Sequence, residues 1–152
     1  MKNAEWLASE LFERSGVHVT WHAGELSAVP CGRWCIGIRM VDRAPASLAP
    51  GALAAARPYG SAGSSIGVYD DRVQQLLNDR PGLSSVLLAY IFAHELAHVM
   101  TGYADHSDSG IMKAQWSKVD HAAMPASTGL ASRTEIRNGS ASDWLLGLQP
   151  GR

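Results

Sequence analysis

Residues 84 to 107 read SSVLLAYIFAHELAHVMTGYADHS, and this stretch decides how the chain folds. Its apolar residues predict one largely buried helix, which Ser84 or Ser85 caps at its start and Gly102 ends. His94 and His98 are four residues apart, so a helix places their imidazoles on one face, about one turn from each other. Polar side chains on a buried helix need partners, and one metal ion would satisfy both imidazoles.

Glu95 follows His94 directly and can reach a water molecule on the same ion without having to bind the ion itself. The H-E-x-x-H pattern therefore predicts two neutral nitrogen ligands and a carboxylate that takes a proton from water. The alternative is a surface helix with solvated histidine and glutamate side chains. The apolar flanks, LLAYIFA before the motif and VM after it, argue against a surface helix.

Together with the residues that follow it, this segment resembles the metzincin zinc peptidases. Their pattern is H-E-x-x-H-x-x-G-x-x-H followed by a methionine turn. One extra residue separates the second histidine from the glycine here, and another separates the glycine from the third histidine. The same longer spacing, together with YDDRV upstream and GIMKAQW downstream, resembles a group of short bacterial metzincin-like proteins. The matching positions are His94, Glu95, His98, Gly102, His106 and Met112.

The resemblance implies one catalytic Zn²⁺ as cofactor, with His94, His98 and His106 as its ligands. Asp105 is the competing third ligand, but His106 is preferred because imidazole completes the three-nitrogen set of the family. Asp105 would then orient one of the metal ligands without binding the ion itself. Met112 would form an apolar floor beneath the three imidazoles.

The function that the resemblance implies is a zinc-dependent endopeptidase. Zinc-activated water would attack the peptide carbonyl, with Glu95 as general base and then as proton donor to the departing amine. Two alternatives stay open. One is a gluzincin-like peptidase with a downstream glutamate as third ligand, and Glu135 is the only glutamate after the motif. The other is a non-catalytic zinc-binding module on the same scaffold.

The expected partner is a peptide or protein substrate in extended conformation, and a monomer is expected. In the family an antiparallel edge strand above the cleft pairs with the substrate backbone. By order in the chain, the strand at 64–69 is the candidate for this edge. The tentative substrate-binding residues are Ser65, Ile66, Gly67 and Val68.

Length and composition predict one compact domain spanning 1–152, because 152 residues with 46% hydrophobic and 18% charged residues are enough for a single core. The fold class that the resemblance implies is α+β. By resemblance it is a small mixed sheet packed on helices, with an upper part at about 1–102 and a lower part at about 103–152. A net charge of −1 provides no field that attracts nucleic acid or anionic membrane. The first residues lack the apolar core of a signal peptide, so we expect a soluble protein, cytoplasmic or secreted after loss of a leader.

Periodicity along the rest of the chain predicts a short series of elements. The Pro-, Ala- and Gly-rich stretch 44–65 is expected to be a long surface loop. Cys31 and Cys35 are compatible with a disulfide, a metal site or two free thiols. The expected elements are a helix over 4–15 with Trp6, Leu7, Leu11 and Phe12 on one stripe, strands at 17–22 and 35–41, and a helix with an Asp71/Gln74 capping box that ends at Leu77.

Overall fold

The computed structural model describes residues 1–24, 35–60, 63–78 and 81–124. Helices and a small sheet both occur there, so the predicted α+β class is confirmed. A 3-10 turn, Pro81–Leu83, precedes the longest helix. The helices are α1 (Lys2–Glu13), α2 (Asp70–Leu77), α3 (Ser84–Thr101) and α4 (Lys118–Ala123), and the strands are β1 (Ile36–Val41), β2 (Ala54–Gly60) and β3 (Gly63–Tyr69).

The three strands form one sheet in the order β1-β3-β2. β3 runs parallel to β1, with Ile38 opposite Ile66, and antiparallel to β2, with Ala56 opposite Ile66. Ile66 and Val68 on β3 are almost fully buried, as expected for the central strand of a covered sheet. Pro58 lies in β2, and a residue without an N–H is tolerated in a strand mainly at an edge.

The prediction that the strand at 64–69 forms the edge above the cleft is therefore wrong. Its Ser65, Ile66, Gly67 and Val68 pair with β1 on one side and β2 on the other. Their main-chain groups serve the sheet, which leaves none of the unpaired rim that a substrate strand needs. Chain order failed as a guide because β3 inserts between two strands that precede it in the sequence.

The expected long surface loop at 44–65 is also a misreading, because β2 lies inside it. Three consecutive alanines, residues 54 to 56, have low strand propensity, so composition did not reveal the strand. Their pairing with β3 determines the local structure instead. The remaining loop, 42–53, connects β1 to β2.

Helix α3 lies at the centre of the packing, against α1 on one side and against β2 and β3 on the other. Its Leu87, Ile91 and Phe92 are among the largest fully buried side chains. No described helix combines the length and apolar character needed to cross a bilayer.

The N-terminal helix differs in detail from its predicted stripe. Ala4, Ala8 and Phe12 form its buried face, whereas Trp6 is 58% exposed. Small alanines allow α1 to approach α3 closely, and this contact determines the rotation of the helix. Leu7 and Leu11 lie at the border of the core, as the pattern predicted.

The segment 17–22 alternates as predicted but does not join the described sheet. Val17, Val19 and Trp21 pack against the core, whereas His18 and His22 point outward. The Trp21 indole N–H donates to Ser9 Oγ at 2.8 Å, and its ring centroid lies 5.6 Å from that of Phe92. The segment is held by side chains against two helices.

The sequence also made predictions for the two ends of α3 and for the cysteines. Gly102 ends α3 with φ 71°, as predicted, but α3 starts after Leu83 with no side-chain cap from Ser84 or Ser85. Cys35 is disulfide-bonded, and Cys31, the other cysteine of the sequence, lies outside the described residues.

Side chains at the start of α2 hold the loop 42–53. The predicted capping box is absent, since the Asp71 carboxylate accepts from the backbone N–H of Ala44 at 3.1 Å. The next residue, Arg72, donates through Nη1 to the carbonyl oxygens of Ala49 at 2.7 Å and Ala52 at 2.8 Å. These hydrogen bonds fix the path of the loop toward β2.

We expect Arg72→Ala to lower the free energy of unfolding by about 1–2 kcal/mol, because two carbonyl groups lose a charged donor. Urea unfolding followed by circular dichroism measures the change. Arg39→Ala, at an exposed arginine of β1, is the control and should shift stability by less than about 0.5 kcal/mol. Equal stabilities of the two variants would show that Arg72 does not anchor the loop.

Candidate metal centre

Three imidazoles converge beside the C-terminal half of α3. The nearest ring nitrogens of His94, His98 and His106 all lie within 4.8 Å of one another. The Nε2 atoms of His94 and His98 are 3.0 Å apart. The structure thus brings together the three histidines that the sequence singled out as ligands, and Asp105 is not a member of this described group. Glu135, the alternative ligand, lies outside the described residues.

Backbone carbonyl groups orient two of the rings. His94 Nδ1 lies 2.8 Å from the carbonyl oxygen of Ile111, and His98 Nδ1 lies 2.7 Å from that of Tyr103. A carbonyl oxygen only accepts, so each Nδ1 carries the proton and each Nε2 presents its lone pair to the shared space. This is the arrangement in which a histidine binds a metal through Nε2.

Burial keeps these rings in the neutral, metal-binding form. It lowers the pKa of His94 to about 4, against the opposing effect of the hydrogen bond with Ile111. Burial also lowers the pKa of His98. Neutral imidazole is the form that binds metal ions, so both rings are ready as ligands at neutral pH.

The donor set fits a divalent transition metal ion. Two lone pairs directed at each other across 3.0 Å repel unless a cation or a proton lies between or in front of them. Zn–N bonds of about 2.0–2.1 Å in a tetrahedron place neighbouring nitrogens about 3.3 Å apart, close to the observed separation. The three histidines are therefore close enough to hold a metal ion, whose identity the geometry leaves open.

Glu95 is buried beside the histidines. Burial raises the pKa of its carboxyl group to about 7, and a hydrogen bond with the backbone of Ala56 acts in the opposite direction. A carboxyl group with such a pKa can take up and release a proton near neutrality. The contact also joins the motif helix to strand β2.

The pairing of β2 explains how Ala56 reaches Glu95. Tyr69 donates its backbone N–H to the carbonyl of Leu53 at 2.9 Å, so these two residues form a hydrogen-bonded pair. In an antiparallel ladder the bonded positions alternate, which directs residues 55 and 57 toward β3. Ala54, Ala56 and Pro58 then direct their main-chain groups to the other side of β2, where Glu95 lies.

The turn that contains Met112 supports the site through its residue Ile111. Gly110 has φ 73°, and the backbone N–H of Ser107 donates to the carbonyl of Met112 at 2.9 Å. Met112 is buried, and its neighbour Ile111 provides the carbonyl that orients His94. A turn that contains a buried methionine is thus present, and its identity with the methionine turn of the family and the role of the Met112 side chain as a floor stay predictions.

The site opens into a cavity of about 560 Å³ between β2, α3 and the segment that follows Met112. Its lining includes the residues that sequence reasoning missed, above all His121 of α4 and the alanines of β2. His121 is buried, although its position in the sequence gave it no partner. The signal for α4 was the S-x-x-D spacing of Ser117 and Asp120, which form a reciprocal capping box.

No family model, curated protein or solved structure matches this chain. The geometry of the site and the H-E-x-x-H motif are therefore the basis on which a function can be assigned.

We expect the purified chain to bind one divalent metal ion, and His98→Ala and His106→Ala each to weaken that binding more than about a hundredfold. Loss of a supporting partner alone typically costs 10- to 100-fold, and loss of a ligand costs more. Competition titration with a chromogenic chelator measures the affinity for Zn²⁺ and Co²⁺. His22→Ala, at an exposed histidine outside the site, should change nothing, and equal affinities for all variants would contradict the centre.

A charged network links the methionine turn to α4. Lys113 Nζ lies 2.6 Å from the Asp120 carboxylate, and the backbone N–H of Ser117 donates to the same carboxylate at 2.6 Å. These contacts, with the Lys113 hydrogen bond as the largest cause, hold the pKa of Asp120 well below its usual range. The carboxylate therefore stabilises the folded chain as long as it stays ionised.

We expect Asp120→Asn to lower stability at neutral pH. Because the folded-state pKa is depressed, the contribution of Asp120 is fully present above the ordinary aspartate pKa of about 3.9 and is lost as the pH falls toward the folded value. The stability difference between wild type and variant should therefore be constant from about pH 7 to about pH 5 and shrink below about pH 4. Urea midpoints across this range test the prediction, and a difference that grows in acid would contradict it.

Proposed function

We propose that the chain is a zinc-dependent endopeptidase of the metzincin kind. The observation that supports this most strongly is the buried Glu95 carboxylate beside three convergent imidazoles, at the mouth of a cavity bordered by an edge strand. His94, His98 and His106 would hold the ion. The H-E-x-x-H helix, the left-handed Gly102 and the turn at Met112 are the features that the resemblance implies.

Zinc is the metal that this donor set suits best. Three neutral imidazoles are typical ligands of Zn²⁺, whereas Mg²⁺ and Ca²⁺ need oxygen ligands. The absence of an anionic ligand from the described group leaves the charge of the ion uncompensated. When bound, Zn²⁺ supplies Lewis-acid activation of water and of the peptide carbonyl group.

Glu95 is the proposed general base. Its carboxylate oxygen takes the proton of the attacking water and then delivers it to the nitrogen of the departing amine. Burial, which raises the pKa of the Glu95 carboxyl group, favours its uptake of the proton from water. The backbone of Ala56 positions the carboxyl group while burial excludes competing water.

The outer edge of β2 is the proposed binding site for the substrate backbone, beside the point where the backbone of Ala56 contacts Glu95. β2 is antiparallel to its neighbour, borders the cavity and directs the main-chain groups of Ala54 and Ala56 away from β3. An extended peptide added along this edge would place one of its carbonyl groups near Glu95 and the histidines. This assignment replaces the residues 65–68 of β3.

We expect Glu95→Gln to keep its zinc and to lose about 10²- to 10⁴-fold in kcat/KM for peptide cleavage, because glutamine cannot accept the proton. Zinc content by elemental analysis and cleavage of a mixed peptide library by mass spectrometry are the two measurements. Glu13→Gln, at an exposed glutamate of α1, is the matched control and should retain cleavage. Full activity of zinc-loaded Glu95→Gln would refute the assigned role, and inactivity of the zinc-loaded wild type would refute the peptidase itself.

A further inference from the structure

Tyr59, next to last in β2, has an unusual backbone conformation. Among the described residues it is the one non-glycine residue with positive φ, at 56°. The register of β2 against β3 shifts between Arg57 and Gly60, so Tyr59 lies in a β-bulge. Its backbone N–H donates to the hydroxyl of buried Ser64 at 3.2 Å, which holds the conformation in place.

This conformation costs free energy that glycine or asparagine would avoid. A bulky aromatic residue in the left-handed region is a rare choice, and such strain concentrates at functional positions. The bulge turns the aromatic ring outward, so that 75% of the Tyr59 surface is exposed. Packing therefore does not explain why tyrosine occupies this position.

The ring of Tyr59 lies beside Gly102, a residue that lines the cavity. A Cβ atom added to Gly102 would be 3.7 Å from Tyr59 Cε2, so the ring packs over the left-handed residue that ends α3. Next to Gly102 is Tyr103, which borders the cavity and is 62% exposed. Two aromatic rings thus flank the site where β2 and α3 end.

The chemistry of this end of the cavity is apolar. The lining residues beside Tyr59 are Pro58, Gly102, Tyr103 and Ala104, none of which has a charged side chain. A peptide that lies along the outer edge of β2 would continue past Pro58 toward Tyr59. Aromatic rings attract other aromatic and apolar side chains through contact area and edge-to-face packing.

We propose that Tyr59 is a specificity-determining residue. Together with Tyr103, its ring accepts an aromatic or large apolar side chain of the peptide bound along β2. The inference rests on the proposed function for the nature of the ligand, and it adds the class of side chain that the cleft selects. The strain at Tyr59 is retained because it holds the ring at the cleft.

The test compares alanine-based decapeptides that carry one phenylalanine at successive positions with the all-alanine parent. For each protein, two quantities measured with the phenylalanine peptide are divided by the same quantities measured with the all-alanine parent. The first is kcat/KM for the protein that retains Glu95. The second is the peptide affinity of the zinc-loaded form that carries Glu95→Gln. For the best-placed phenylalanine we expect Tyr59→Asn to lower both ratios by about two- to tenfold. Asparagine tolerates the left-handed backbone, so thermal stability should not fall.

Two further variants show that the aromatic ring at this position is responsible. Tyr59→Phe keeps the ring and should keep both ratios near the wild-type values. Trp6→Ala removes another exposed aromatic side chain, on α1, and should leave both ratios unchanged. If Tyr59 served only the structure, Tyr59→Asn would change the values for all peptides by one common factor, and that result would overturn the inference.

Failure of the specificity role and failure of the peptidase are distinguishable. One outcome is that the wild type cleaves peptides and that both ratios are equal in wild type and Tyr59→Asn. That outcome overturns the role of Tyr59 and leaves the peptidase in place. A second outcome is that no peptide is cleaved, but the protein binds phenylalanine peptides preferentially and Tyr59→Asn abolishes this preference. That outcome overturns the peptidase and supports the role of Tyr59. Absence of both cleavage and peptide binding overturns both.

Discussion

The burial of two polar side chains on a largely apolar helix is the constraint on which the rest of the structure depends. His94 and Glu95 are buried in α3 among residues such as Phe92 and Leu96, where a charge without a partner is costly. The structure meets this demand from outside the helix: the carbonyl of Ile111 orients His94, and the backbone of Ala56 contacts Glu95. The strand before the motif and the turn after it are thereby held against one helix face.

The spacing of the motif has a simple structural basis. Gly102 reverses the chain immediately after α3, and the carbonyl of the next residue, Tyr103, is already within hydrogen-bonding distance of His98. Gly110 makes a second left-handed turn and returns the chain so that Ile111 meets His94. The connection after α3, longer than that of the family pattern, thus places one carbonyl group at each of the two helix imidazoles. Tyr103, before His106, serves His98, and Ile111, after His106, serves His94.

Features fixed by local interactions could be predicted from the sequence, and those fixed by long-range pairing could not. Helix α3, its end at Gly102 and the convergence of His94 and His98 follow from periodicity and spacing alone. His106 was reached through the motif as a whole. The position of β3 between β1 and β2 and the burial of His121 depend on tertiary contacts. The strand in alanines 54 to 56 depends on pairing with the following strand, β3, which the composition of the segment does not encode. The prediction that Trp6 lies on the packed stripe of α1 was wrong, because the buried face of this helix includes its small residues Ala4 and Ala8.

The two helix histidines and His106 differ in when they can meet during folding. His94 and His98 are aligned as soon as α3 forms, whereas His106 reaches them only after the chain turns at Gly102. Closing so short a loop carries a small entropic cost. The carbonyl of Ile111 must also fold back onto His94. A helix that carries the H-E-x-x-H motif is therefore not yet the site, because the third imidazole and the carbonyl that orients His94 both come from the chain beyond Gly102.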